Sequence, residues 1–262
     1  MTTRGYIIPF WPSERLGPET RAIYETLLAA SVTSFRACSG PGPNLRVLDV
    51  EDSLSQLTRE RIRPLCLVWP GWALGNIPWE RNCFNKLLAL ANSPFEETAL
   101  LDADLLWTGD AGDVFDEVPA RDPPSQIAGV ISENYRKGDG VCACVTVCRD
   151  REAVRAAMAL RGQLRLPNSD EAAYDLAERR GLITRQRLAP AWAFDGRALL
   201  GPGPGQAHNW KDRATCTGFV QWEWSVDGVP IRSFHISGIK QRALGSPRVL
   251  QYLEHCAAIV RP

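Results

Sequence analysis

Two aspartates one residue apart, Asp102 and Asp104, close an apolar run in ALLDADLLWTGDAGDVFDEV (99–118). On extended chain, residues i and i+2 point to the same side, so both carboxylates can converge on one point. Carboxylates that close repel each other unless one is protonated or a cation bridges them. A hard divalent ion, Mg2+ or Mn2+, is the natural bridge, with water and phosphate oxygens filling its other positions. The chemistry that follows is a platform for a diphosphate. An Asp-x-Asp pair also arises wherever a strand ends in an acidic turn, and the residues alone leave both readings open. The further acids Asp110, Asp113 and Asp116 favour the first only somewhat. A second cluster, Cys142, Cys144 and Cys148, has the spacing C-x-C-x3-C. These cysteines alternate with Val141, Ala143, Val145 and Val147 as strand residues do, and are read as small core residues rather than metal ligands.

The elements that must position the aspartates follow an α/β pattern, short apolar runs alternating with helical spacing. The first half reads as a strand over 5–10, a helix opened by Pro18, and strands over 45–50 and 64–69. A helix over 79–92 and a buried strand over 98–101 come next, the strand running directly into Asp102. In open α/β sheets, ligands bind at that carboxyl edge. The second half predicts strands over 127–131 and 141–147 and helices over 150–161 and 168–180. GPGPG (201–205) reads as a flexible lid or acceptor loop. Two alternating runs around Asp227-Gly228, FVQWEWSV and VPIRSFHI, predict a hairpin, with Pro230 marking an edge or bulge. A closing helix over 246–260 has Ser246 as N-cap and Pro247 in first position. There is no internal repeat and no dividing linker.

Composition narrows the partners. The chain has 262 residues, 45% hydrophobic and 23% charged, with a formal net charge of zero. That balance excludes attachment to nucleic acid or anionic membrane by bulk electrostatics. Basic residues are 26 Arg against four Lys (Lys86, Lys137, Lys211, Lys240), so a retained lysine is informative. No stretch approaches the roughly 20 apolar residues of a membrane span, and the opening residues lack a signal peptide's apolar segment. Eight cysteines without a CxxC pair suit free thiols in a reducing, cytoplasmic compartment.

LLDADLLWTGDAGDVFD resembles the Asp-x-Asp segment of GT-A-type glycosyltransferases, particularly glycosyltransferase family 8, the glycogenin and galactosyltransferase group. Three further segments resemble that family in the same order. Phe84-Asn85-Lys86-Leu87 is similar to its lysine-leucine helix, Ser169-Asp170-Glu171 to its Asp-Gln pair opening a helix, and Ser233–Lys240 to its His-Phe-x-Gly-x-x-Lys element. The resemblance spans about residues 80–242. It implies an α/β fold with a GT-A-like, Rossmann-like mixed sheet flanked by helices. It further implies one domain over 1–262, with 1–120 the nucleotide- and metal-binding half and 121–262 the acceptor-side half. The activity implied is transfer of a sugar, with retention, from a nucleotide-diphosphate sugar (a UDP-sugar first) with Mn2+ or Mg2+. Asp102, Asp104 and His235 would be the metal ligands. Lys86, Gly238 and Lys240 would join the two aspartates in holding the donor, and Asp170 and Glu171 would be the catalytic candidates.

This sequence departs from the family in places. The Asp-Gln pair is Asp170-Glu171, and Asp170 reads equally as an electrostatic partner of the sugar cation or as a helix cap. The family's Lys-Pro-Trp is Lys240-Gln241-Arg242, which suggests Arg242 as a second phosphate contact. YIIPFWPSER does not map residue by residue. Trp222 and Trp224 are read as hairpin packing, and Trp107, Trp192 and Trp210 as candidates for an acceptor site. RERIRP (59–64) and RRGLITRQR (179–187) are read as solvated surface. The acceptor (glycan, protein, small molecule or modified nucleic acid) and the oligomeric state stay open. Two rivals remain: a non-catalytic nucleotide-sugar-binding protein, and a Mg2+-dependent haloacid dehalogenase-like phosphotransferase. The second normally carries Asp-x-Asp near the chain start, with Thr or Val where Leu106 stands here.

Overall fold

The computed structural model describes residues 3–11, 17–71, 81–118, 126–131, 141–164, 170–196, 199, 214–216, 224–226, 229–236 and 239–260. The first half runs β1 (Arg4–Phe10), α1 (Pro18–Ser39), β2 (Leu45–Val50), α2 (Gln56–Ile62), β3 (Leu67–Gly71), α3 (Arg81–Ala91), β4 (Glu97–Leu101) and β5 (Leu105–Trp107). The second half runs β6 (Ile127–Ile131), β7 (Val141–Cys148), α4 (Arg151–Ala159), α5 (Asp170–Arg179), β8 (Arg185–Leu188), β9 (Phe194–Asp195), β10 (Ala214–Cys216), β11 (Trp224–Val226), β12 (Val229–Pro230) and β13 (Ser233–His235). Two helices, α6 (Lys240–Leu244) and α7 (Pro247–Val260), close the chain. Among the described residues, no helix is long and apolar enough to cross a membrane.

Seven strands form one mixed sheet in the order β3-β2-β1-β4-β7-β6-β8. β1 pairs in parallel with β2 on one side and with β4 on the other, while β7 is antiparallel to β4 and β6. The chain winds outward from β1 to β3 and then returns to the far side of β1 as β4. The carboxyl ends of β1 and β4 therefore diverge at a topological switch point, where open α/β sheets bind ligands.

Strand sequences explain this placement, because helices cover both sheet faces and central strands are apolar throughout. Tyr6, Ile8 and Phe10 of β1 join the core beneath α1, while Ile7 joins the core beneath α3, α4 and α5. Gly5 is required at its position, because a Cβ there would stand 2.2 Å from the Phe95 ring. α1 serves two cores: Leu28, Val32 and Phe35 face the sheet, and Leu27 and Ala30 face Val249, Tyr252 and Cys256 of α7.

Several expectations shift. The third strand begins at Leu67 rather than 64, because Leu65 and Cys66 still donate to the Ile62 carbonyl and complete the last turn of α2. RRGLITRQR is not simply a solvated patch. Its end is β8, and the Arg185 side chain is 4% exposed, ion-paired with Asp175 and Glu178. RERIRP supplies the last turn and the C-cap of α2, and Arg59 there pairs with Asp49 and Asp52. Cys144 and Cys148 are buried and unbridged as expected of core residues, and burial pushes the Cys148 thiol up to about 12. The Cys142 side chain lies outside the described set. β11 and β12 pair antiparallel across 227–228, with Pro230 on the edge strand, as predicted. The rest of VPIRSFHI leaves the hairpin: β13 inserts between β5 and β9 in a separate three-stranded sheet. The β5 and β9 backbones supply hydrogen-bond partners that a longer hairpin arm would take from β11.

Candidate active site

Asp102 follows the last residue of β4, and its N–H donates to the Cys144 carbonyl at 2.8 Å. Buried Ala99, Leu100 and Leu101 anchor that strand, so Asp102 emerges at a rigid edge. Two residues on, Asp104 precedes β5, whose backbone is seated under α1 by Trp107 N–H donating to Ser34 Oγ at 3.1 Å. β13 pairs antiparallel with β5 in a register that sets His235 opposite Leu105, and the Ile236 N–H donates to the Asp104 carbonyl at 3.1 Å. On its other side β13 pairs with β9, and Gly196 follows with no room to spare. A Cβ on Gly196 would stand 2.5 Å from Ile236 Cγ2 and 2.8 Å from the His235 carbonyl oxygen. Lys240 opens α6, four residues after Ile236.

These elements bring five side chains together. Ligand atoms of Asp102, Asp104 and His235 all lie within 4.8 Å of one another, the one such group of metal-ligating side chains among the described residues. His235 Nε2 is 3.3 Å from Asp104 Oδ1 and 3.8 Å from Asp102 Oδ2. Lys240 Nζ lies 2.7 Å from Asp104 Oδ2. Lys86 Nζ lies 2.6 Å from Asp102 Oδ1, an ion pair out of hydrogen-bond alignment, and 3.7 Å from Asp170 Oδ2.

Environment separates the carboxylates. Burial alone would raise the Asp104 carboxyl, but the His235 hydrogen bond and charge, with Lys240, hold it well below the usual carboxylate range. Lys240 is the mirror image: burial pulls it down, and Asp104 more than restores it, leaving it raised. Asp170 is 5% exposed, and burial raises its carboxyl to about 6 against the opposing Lys86 charge. Titratable groups pushed in opposite directions within one cluster of ion pairs mark a candidate functional site.

A cavity of about 150 Å3 opens here, lined by Phe10, Trp11, Tyr24, Lys86, Asp104 and Lys240, with Pro9, Asp102 and Ala103 completing the wall. It sits at the switch point between β1 and β4. Two larger clefts, of about 580 and 490 Å3, lie beside α1 elsewhere and hold none of these five side chains.

Other sequence-derived candidates fall differently. Asp170 opens α5 and its Oδ1 accepts the Glu171 N–H at 3.0 Å, so it caps locally and also faces Lys86. Glu171 is half-buried, and its carboxylate accepts the Ala143 N–H at 3.1 Å. Gly238 lies outside the described residues, as do Ser169, the 201–205 loop, Trp210 and Trp222. Arg242 is exposed and two residues from Lys240, a spacing that does not share a helix face. Trp107 and Trp192 are not acceptor-site residues: both are buried, the first packing edge-on against Phe35, the second donating its indole N–H to Glu117. Both indoles sit in the core beneath α1. Trp224 packs edge-on against Phe234 of β13 at 5.3 Å, so its aromatic contact joins two sheets rather than the two arms of the hairpin. The sequence did not single out Phe10, Trp11 and Tyr24 as lining; position at the end of β1, beside the switch point, was the available signal for Phe10 and Trp11, and Tyr24 of α1 had none. Asn85 was also missed: it is 2% exposed, neighbours Lys86 in sequence, and neither side-chain amide atom has a partner among the described residues.

No protein-family model and no curated protein matches the chain. Solved structures do. Mouse xyloside xylosyltransferase 1, in apo form, aligns with TM-score 0.55 and 11% identity over 90% of this chain and 98% of its own. The glycosyltransferase GlyE of Streptococcus pneumoniae TIGR4 aligns with TM-score 0.60 and 14% identity over all of this chain, which spans 61% of the GlyE chain. The galactosyltransferase LgtC, in complex with donor and acceptor sugar analogues, aligns with TM-score 0.55 and 12% identity over 97% of this chain and 94% of its own. At these identities the likeness is one of fold. With its mixed seven-stranded sheet and its aspartate pair at the carboxyl edge, the chain has the α/β fold of GT-A-type glycosyltransferases.

Proposed function

We propose that the protein is a metal-dependent glycosyltransferase, moving a sugar from a nucleotide-diphosphate sugar, a UDP-sugar first, to an acceptor. The observation that carries this reading is the convergence of Asp102, Asp104 and His235, flanked by the ammoniums of Lys86 and Lys240, at the switch point of a GT-A fold. Two carboxylates and an imidazole suit Mn2+ or Mg2+, and the donor set therefore fits the ion the fold implies. When bound, such an ion supplies Lewis-acid charge to the departing diphosphate. Lys240 and Lys86 add positive charge on either side of the same position, steadying the nucleoside diphosphate as its bond to the sugar breaks. Asp170, buried against Lys86, is the candidate for negative charge near the developing sugar cation, with Glu171 held beside it by Ala143. The choice of Mn2+ or Mg2+ as the ion, the UDP-sugar and retention belong to this proposal. The GT-A fold favours it over the phosphotransferase alternative, and a turnover assay separates it from a non-catalytic binder.

The test is a thermal-shift panel of nucleotide sugars, with and without Mn2+, on wild type and Asp104→Ala. One donor should stabilise the wild type only with metal, and the variant should lose that shift, since losing a ligand costs metal affinity by about 100-fold or more, beyond the 10–100-fold typical of a ligand's hydrogen-bond partner. If no nucleoside diphosphate stabilises the protein with metal present, the reading fails.

A further inference from the structure

The oxygens that a divalent ion would use are already held by the protein's own cations. Lys86 takes Asp102 Oδ1 at 2.6 Å, Lys240 takes Asp104 Oδ2 at 2.7 Å, and His235 Nε2 stands 3.3 Å from Asp104 Oδ1. Each aspartate faces one ammonium, Asp170 stands 3.7 Å behind Lys86, and water screens the two close pairs little because their four side chains are only 12–19% exposed. A divalent cation entering alone competes with both lysines for the same oxygens and meets their repulsion at short range. A nucleoside diphosphate entering alone finds the ammoniums engaged and the carboxylates facing it. Arriving together, each removes the other's obstacle: phosphate oxygens give the lysines new partners, and the freed carboxylates take the cation.

We propose that Lys86 and Lys240 form a two-ammonium latch on Asp102 and Asp104, making cation and nucleoside-diphosphate binding mutually dependent. This rests on the donor assignment above and adds to it the order in the site: neither ligand binds tightly alone. Lysine suits the role, since its flexible stem and three rotatable donors let it change partner without moving backbone. Lys240 has the cavity to swing into, with its ammonium 5.0 Å above the Tyr24 ring and Tyr24 itself a lining residue. By linkage, the factor by which diphosphate tightens the cation equals the factor by which the cation tightens diphosphate.

The experiment measures Mn2+ binding from the loss of the free-ion paramagnetic resonance signal, with and without UDP or GDP, correcting for Mn2+–nucleotide complexes in solution. Wild type should bind Mn2+ more tightly with one nucleotide by about 5–150-fold. Lys240→Met should bind Mn2+ alone several-fold more tightly than wild type, and the nucleotide should enhance it less. Lys240→Gln repeats the comparison with a neutral polar side chain, and melting temperatures confirm that each variant is folded. If nucleotide binds with Mn2+ but neither variant gains affinity for Mn2+ alone, or wild type binds Mn2+ equally with and without nucleotide, the latch is overturned. If no nucleotide binds in the presence of Mn2+, the donor assignment fails and the coupling falls with it.

Discussion

Asp104 lines the cavity, Asp170 is buried behind Lys86, and their carboxyls are shifted in opposite directions, so acid should act on the protein through both. Asp104 is held low by His235 and Lys240, so it contributes stability above the unfolded carboxyl value, lost as pH falls through its lower folded value. Asp170 has the reverse sign. Its folded value of about 6 exceeds the unfolded one, so the native state is favoured at low pH and loses stability as pH rises from about 4 to 6. A rise of about two units corresponds to roughly 3 kcal/mol. Denaturant melts of Asp170→Asn across pH 4–8 should show a flatter profile than wild type, and an unchanged slope between pH 4 and 6 would refute the assignment. Asn85 adds a second cost nearby, since an unpartnered buried amide forfeits about 1–3 kcal/mol.

At the scale of elements, β13 is the decisive piece. It brings His235 beside Asp104 only because it pairs with β5 and β9 rather than continuing the hairpin arm. Gly196 closes that contact, since any side chain there strikes Ile236 and the His235 carbonyl. Gly196→Ala should therefore destabilise the fold by about 1–3 kcal/mol, through overpacking against backbone. It should also weaken Mn2+ binding in the presence of nucleotide, by displacing the His235 backbone, although residue 196 offers no ligating side chain. Denaturant melts beside the Mn2+ titration check this, and a variant as stable and as tight as wild type would contradict it. α1 belongs to the same scale: it carries Ser34 to the β5 backbone and Tyr24 to the cavity wall, and its other face rests on α7.

In the whole molecule, the candidate metal site joins positions 102, 104 and 235, and the neighbouring charges come from positions 86, 170 and 240. No local segment holds the set, so a ligand bound there ties distant parts of the chain and stabilises the native state alone. Saturating Mn2+ with the matching nucleotide should add about 2.7 kcal/mol at a hundred times the dissociation constant. Excess chelator should return the melting temperature to its starting value. A rise that survives chelation would place the nucleotide elsewhere.

Residue patterns alone determined much of this protein. Apolar strands alternating with amphipathic helices predicted the α/β layers, because burial on both sheet faces leaves a continuous apolar run. The Asp102/Asp104 pair was readable because period-two geometry acts over three residues. Lys86, His235 and Lys240 were readable only through resemblance, since nothing in their local sequence states a partner. The tertiary structure decided the rest. It moved β13 out of the hairpin, assigned Trp107 and Trp192 to the core, and turned Arg185 inward to its acids. Strand pairing, side-chain burial and ion pairing depend on what lies across space, and a linear pattern records only what lies along the chain.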